Sequence, residues 1–148
     1  MNNFRTHLST KAVENASPDD VAIMNEHWLS DLNFYKDELR FLKDLISKYL
    51  LLLTRAESIE AVKKMITDID ILEKEQKEIS LSVAGNLKNI RTILQEEVSS
   101  GTSGYKEEHI RIGELIAEFY TNLMIFKRRV FTITEHVIES ERLKHLLV

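Results

Sequence analysis

Three Glu-His pairs, Glu26-His27, Glu108-His109 and Glu135-His136, are the residues of this chain best suited to metal or acid–base chemistry. A di-iron helical site needs a carboxylate three residues before a histidine, on one face, on each of two helices. Here each acid is adjacent to its histidine, which sets the two side chains about 100° apart on the helical wheel. If the chain folds back on itself in long helices, His27, His109 and His136 also lie at different heights and cannot share one ion. They read as surface or half-buried helix residues. There is no cysteine, so disulfides, thiolate zinc sites and cysteine nucleophiles are excluded. No serine, threonine or lysine stands in a nucleophile motif, and no glycine-rich phosphate loop is present. The expectation is a protein with no catalytic residue, no metal ligand and no cofactor, hence not an enzyme.

Lys127-Arg128-Arg129 is the one basic triplet. On a helix its members fan around the axis instead of forming the stripe that tracks a phosphate backbone. Counting turns sets Glu73, Glu75 and Glu78 level with it as surface partners. With a net charge of −4, no nucleic-acid partner is expected.

The elements that must carry these groups are helices. One proline and four glycines in 148 residues are too few for a loop-rich or all-β chain. Ser17-Pro18-Asp19-Asp20 reads as a helix start, with serine at the N-cap, proline at the first position and acids near the positive end of the dipole. From there an a/d register runs through Val21, Asn25, Trp28, Leu32, Tyr35, Leu39, Leu42, Ile46, Tyr49 and Leu53. Thr54 to Ser58 reads as a turn, with Thr54 or Ser58 capping the next helix. The second register is Val62, Met65, Ile69, Leu72, Gln76, Ile79, Val83, Asn86, Ile90 and Ile93. Residues 99–104 form a loop. The third register runs from Tyr105 and His109 through Ile112, Ile116, Phe119, Leu123, Phe126, Val130, Ile133 and Val137 to Ser140, Lys144 and Leu147.

These patterns predict an all-α fold: an elongated antiparallel up-down-up three-helix bundle with coiled-coil-like heptad packing. The expected helices span about 18–53, 58–98 and 105–147, in one domain over 17–148 preceded by an N-terminal segment, 1–16. The longest apolar run, Tyr49 to Leu53, falls far short of a transmembrane segment, and the start lacks a signal-peptide core, so a cytoplasmic location is expected. Folding about the turns sets Trp28 between Val83 and Phe119, with Ala84 and Gly85 making room for the indole. Asn25 and Asn86 come to one height, where they read as a register-fixing pair. The alternative is a polar pocket, in a bundle that binds a small ligand or a metal. Leu50 to Leu53 come level with Leu143, Leu146, Leu147 and Val148, which predicts a closed bundle end.

A second apolar stripe has no place in such a core. On the third helix the b positions read Ile110, Ala117, Met124, Phe131 and Ile138, beside an all-polar f row. Phe34 and Phe41 answer them on the first helix, while the second shows no matching stripe. Phe34, Phe41, Tyr120, Met124, Phe131 and Ile138 therefore predict a groove between the first and third helices. An exposed patch of this kind marks an interface. The expectation is a protein partner, a helix or a second copy in a homodimer. The competing occupant is the chain's own segment 1–16, which carries Phe4 and Leu8 at helical spacing.

Overall fold

The computed structural model of the chain describes residues 16–57, 59–96 and 104–147. The segment 1–15, Ser58 and residues 97–103, which include all of the predicted loop at 99–104 except Gly104, lie outside the described residues. Among the described residues four helices follow in order: α1 (Pro18–Lys48), α2 (Leu50–Ala56), α3 (Ile59–Glu96) and α4 (Tyr105–Leu147). Among the described residues there is no strand. No helix there is long and apolar enough to cross a membrane.

The start of α1 is built as its sequence requires. The Ser17 hydroxyl accepts the Asp20 N–H at 3.2 Å, and the Asp20 carboxylate accepts the Ser17 N–H at 3.4 Å, with Pro18 at the first helical position. Such a cap is worth about 1 kcal/mol. The predicted first helix is interrupted at Tyr49, where φ −104° and ψ 16° depart from helical values. Hydrogen bonds from Tyr49 N–H to Leu45 O and from Leu53 N–H to Tyr49 O carry the ladder past the break. Thr54 is not a cap: it lies within α2, and its hydroxyl donates to Leu51 O at 2.9 Å.

The first two registers hold. Every predicted position of α1 is buried, as is every one of α3; Tyr49 is half-buried and Leu53 of α2 is buried. In α4 the register holds from Tyr105 to Val130 and then shifts, because Thr134 takes the inward position expected of Ile133. After Val137 the inward row ends, and Lys144 and Leu147 are exposed. The bundle end is therefore not closed as predicted: Leu51, Leu143, Leu146 and Leu147 stay exposed, whereas Leu53 is buried. Val148 lies outside the described residues.

Three buried amides tie the helices together. Gln76 Nε2 of α3 donates to Leu32 O of α1 at 2.9 Å. Asn86 Nδ2 of α3 donates to Tyr105 O of α4 at 3.2 Å. Asn25 Nδ2 of α1 meets His109 Nδ1 of α4 at 3.3 Å. Asn25 and Asn86 thus do not form a pair; each anchors its own helix to α4. Trp28 is buried as predicted, in one cluster with Val83 and Phe119, and its ring stacks on His109 at 4.2 Å and 12°, a neighbour the layer count had set about ten residues away. The Phe119 ring lies 6.0 Å from Tyr35. Counting layers treats each side chain as lying at the height of its own Cα. Large rings reach beyond their own turn, and helical side chains lean toward the N-terminus, so such a count misplaces them.

Gly85 does not make room for the indole. Both Ala84 and Gly85 are exposed, and a Cβ added at Gly85 would meet nothing within 4 Å. The glycine only weakens α3 through its backbone entropy. Gly85→Ala should therefore stabilise the protein by about 0.5–1 kcal/mol in urea denaturation. A destabilised variant would show that the position is packed.

Candidate functional site

The structure brings Phe34, Phe41 and Phe131 to one hollow of about 330 Å³ between α1 and α4. Phe34 and Phe41 stand one heptad apart on α1 and leave 58% and 57% of their surface exposed. Phe41 meets Phe131 edge to face, with centroids 6.4 Å apart. Buried Leu42 contributes to the floor. The Phe34 ring lies 6.2 Å from Tyr35, and Tyr35 5.6 Å from Tyr120, but Tyr120 and Met124 do not line the hollow. Tyr120, Met124 and Phe131 are partly buried against the core. Ile138 is 40% exposed and does not line the hollow, since it lies about two turns beyond Phe131 along α4.

Sequence reasoning missed the polar half of this site. Lys127 Nζ donates to Glu38 Oε2 at 2.5 Å and lies 5.9 Å from the centre of the Phe131 ring. The Glu38 side chain is only 14% exposed. A charge pair this sheltered holds α1 against α4 more firmly than an exposed one, whose worth is close to zero. The triplet does fan around α4, but its partners are not Glu73, Glu75 and Glu78. Arg129 pairs instead with Asp68 of α3 at 2.7 Å and lies over Phe126 at 5.2 Å. The signal available was Glu38 on α1, four residues beyond Phe34 and on the same face of the helix.

His109 takes the inward position its register gives it, and its burial is deeper than the surface or half-buried reading of the three histidines. It is 1% exposed, not a surface histidine. Asn25 Nδ2 donates to Val21 O at 2.8 Å, which fixes the amide orientation, because a flipped oxygen would face that carbonyl. The same nitrogen therefore donates to His109 Nδ1, which must accept, so the imidazole proton sits on Nε2. Among the described residues, Asn25 Oδ1 and His109 Nε2 are both buried without a hydrogen-bond partner. Burial pushes the His109 pKa down to about 4. Protonating Nδ1 would also set it against the Asn25 amide donor. Among the described residues, no three His, Asp or Glu side chains are grouped so that they could hold a metal ion.

Comparison with protein-family models, curated proteins and solved structures found no match.

The histidine sets a pH dependence. Its folded pKa, about 4, lies below its usual 6.5, so the stability it secures is complete above 6.5 and is lost as pH falls toward 4. Across that window this single proton should lower the unfolding free energy by about 1.4 kcal/mol per pH unit. His109→Phe keeps a ring over Trp28 and should lose that component of the slope in denaturation at several pH values. Equal slopes for the two proteins would refute the assignment.

Proposed function

We propose that the chain is a non-enzymatic interaction protein whose α1/α4 groove is covered by a second copy of itself. In this reading α1 with α2, α3 and α4 form an elongated, antiparallel, up-down-up bundle with heptad packing. The cross-helix contacts support that topology. Glu26 meets Arg91 while Lys43 meets Glu73, and Asn86 meets Tyr105 while Asp68 meets Arg129. In both pairs of helices the residue numbers rise on one side and fall on the other.

One observation carries the dimer: two phenylalanines, a heptad apart, stand more than half exposed beside a third. Burying a large apolar side chain contributes roughly 1.5–3 kcal/mol. An isologous contact buries the same rings from both chains, which gives a substantial driving force against the association entropy. The rival reading, a ligand or metal pocket at Asn25 and Asn86, has less support. The two amides bind different partners, and Trp28 covers the imidazole beside Asn25.

Light scattering tests the proposal. The wild type should run at twice the chain mass, and Phe34→Glu/Phe41→Glu should be a monomer with unchanged helicity, because neither ring belongs to the core. A wild type that is monomeric at tens of micromolar would overturn it. If that monomer dimerises once residues 1–15 are removed, the groove is covered from within the chain.

A further inference from the structure

A second seam, between α3 and α4, has the form of a docking surface and a different chemistry. Two adjoining hollows of about 220 and 310 Å³ share Glu75. Their floors are apolar, with buried Leu72 and Phe126 under one and Ile79 and Phe119 under the other. Ile71 on α3 and Ile125 on α4 line the first hollow and remain 51% and 59% exposed. The heptad pattern did not single out these isoleucines.

The centre of the seam is acidic. Glu75, Glu78 and Glu118 line it, and among the described residues none of them pairs with a basic side chain. The two arginines of the seam are already engaged: Arg129 with Asp68 at one end, Arg111 with Glu108 near the other. Burial, Glu118 and Glu78, in that order, hold the Glu75 carboxyl above its ordinary range. The repulsion among these carboxylates is a standing strain that an incoming cation would relieve. From Asp68 to Ser82 the seam runs about 21 Å, the length of roughly four helical turns.

We propose that the α3/α4 seam docks a basic amphipathic helix of another protein, its apolar residues between Ile71 and Ile125 and its lysines or arginines against Glu75, Glu78 and Glu118. Charge selects this occupant. A second copy bound isologously would set the acidic centre against itself. A metal ion is disfavoured, because these acids do not group as ligands among the described residues. Nucleic acid would be repelled.

The probe is a fluorescein-labelled peptide of about 18 leucines and lysines in an amphipathic helical pattern, some 27 Å long as a helix. A sister peptide carries glutamate for lysine. Anisotropy titration should show the lysine peptide binding the wild type and the glutamate peptide failing to bind. Glu75→Gln/Glu118→Gln should weaken binding about tenfold or more while melting at or above the wild-type temperature, since a repulsion is removed. Ile71→Ser/Ile125→Ser should weaken it comparably. Leu51→Ser, at an exposed leucine of the bundle end, should leave it unchanged. The proposal falls if the lysine peptide does not bind, or if the glutamine variant binds equally well. It falls also if the serine pair has no effect, which would mean charge attraction alone. An equal loss in Leu51→Ser would mean general adhesion, and loss of self-association in the serine pair would make the seam a contact between copies. Either result overturns it.

Discussion

Helices with an apolar residue every three or four positions can slide past one another by a heptad and bury nearly the same surface. Register in such a protein rests on the few buried groups that need one particular partner. Here they are Gln76 against Leu32 O, Asn86 against Tyr105 O, and Asn25 against His109 beneath Trp28. A slip of one heptad would strand each amide in the core, at about 1–3 kcal/mol for each unsatisfied group. The arrangement is asymmetric in its benefit. None of these bonds adds much net stability where it is made, but each makes the wrong alignment expensive.

Every surface feature inherits that alignment. With Asn25 held at His109, Glu38 comes within reach of Lys127, and Phe41 meets Phe131. With Asn86 held at Tyr105, Asp68 meets Arg129, and Glu75 comes close enough to feel Glu118. The core amides therefore select which side chains face each other in both open seams. His109 is the delicate member of the set, because its Nδ1 accepts a hydrogen bond only while the ring is neutral, and its Nε2 is buried without a partner among the described residues.

Periodicity made the helices legible, because the spacing of apolar residues is local information. It placed the inward faces of α1 and α3 residue by residue, and the capped start at Ser17. It failed where the answer depended on the relation between helices. The stacking of Trp28 on His109 was missed, since the count had to cross two connections and ignore the reach of an indole. It failed again past Val130, where Thr134 replaced Ile133. A strict heptad repeat drifts by about 20° per heptad against a straight helix, and over a helix as long as α4 that drift moves a neighbouring position inward. The groove was legible for a related reason. Phe34 and Phe41 recur at seven residues and so announce themselves, whereas Ile71 and Ile125 have no apolar partner seven residues away and are absorbed into the apolar runs of the core register, beside Leu72 and between Met124 and Phe126, until two helices are side by side.

The two open seams have α4 in common, and the contrast with the remaining seam explains why. Between α1 and α3 the charges are complementary: Lys43 reaches both Glu73 and Asp70, and Arg91 reaches Glu26. That seam is closed by its own side chains, and α1 makes its most extensive contacts there. The flanks of α4 are not closed in this way. On one side phenylalanines project past the Lys127–Glu38 pair; on the other, three glutamates converge without a basic partner among the described residues. A sequence selected only for a stable monomer would exchange a phenylalanine for a polar residue on the first flank and a glutamate for a lysine on the second. Apolar exposure and like-charge crowding each lower monomer stability, and under the two proposals an added surface on each flank would recover it. Their placement on opposite flanks of one helix allows two different surfaces to be engaged together.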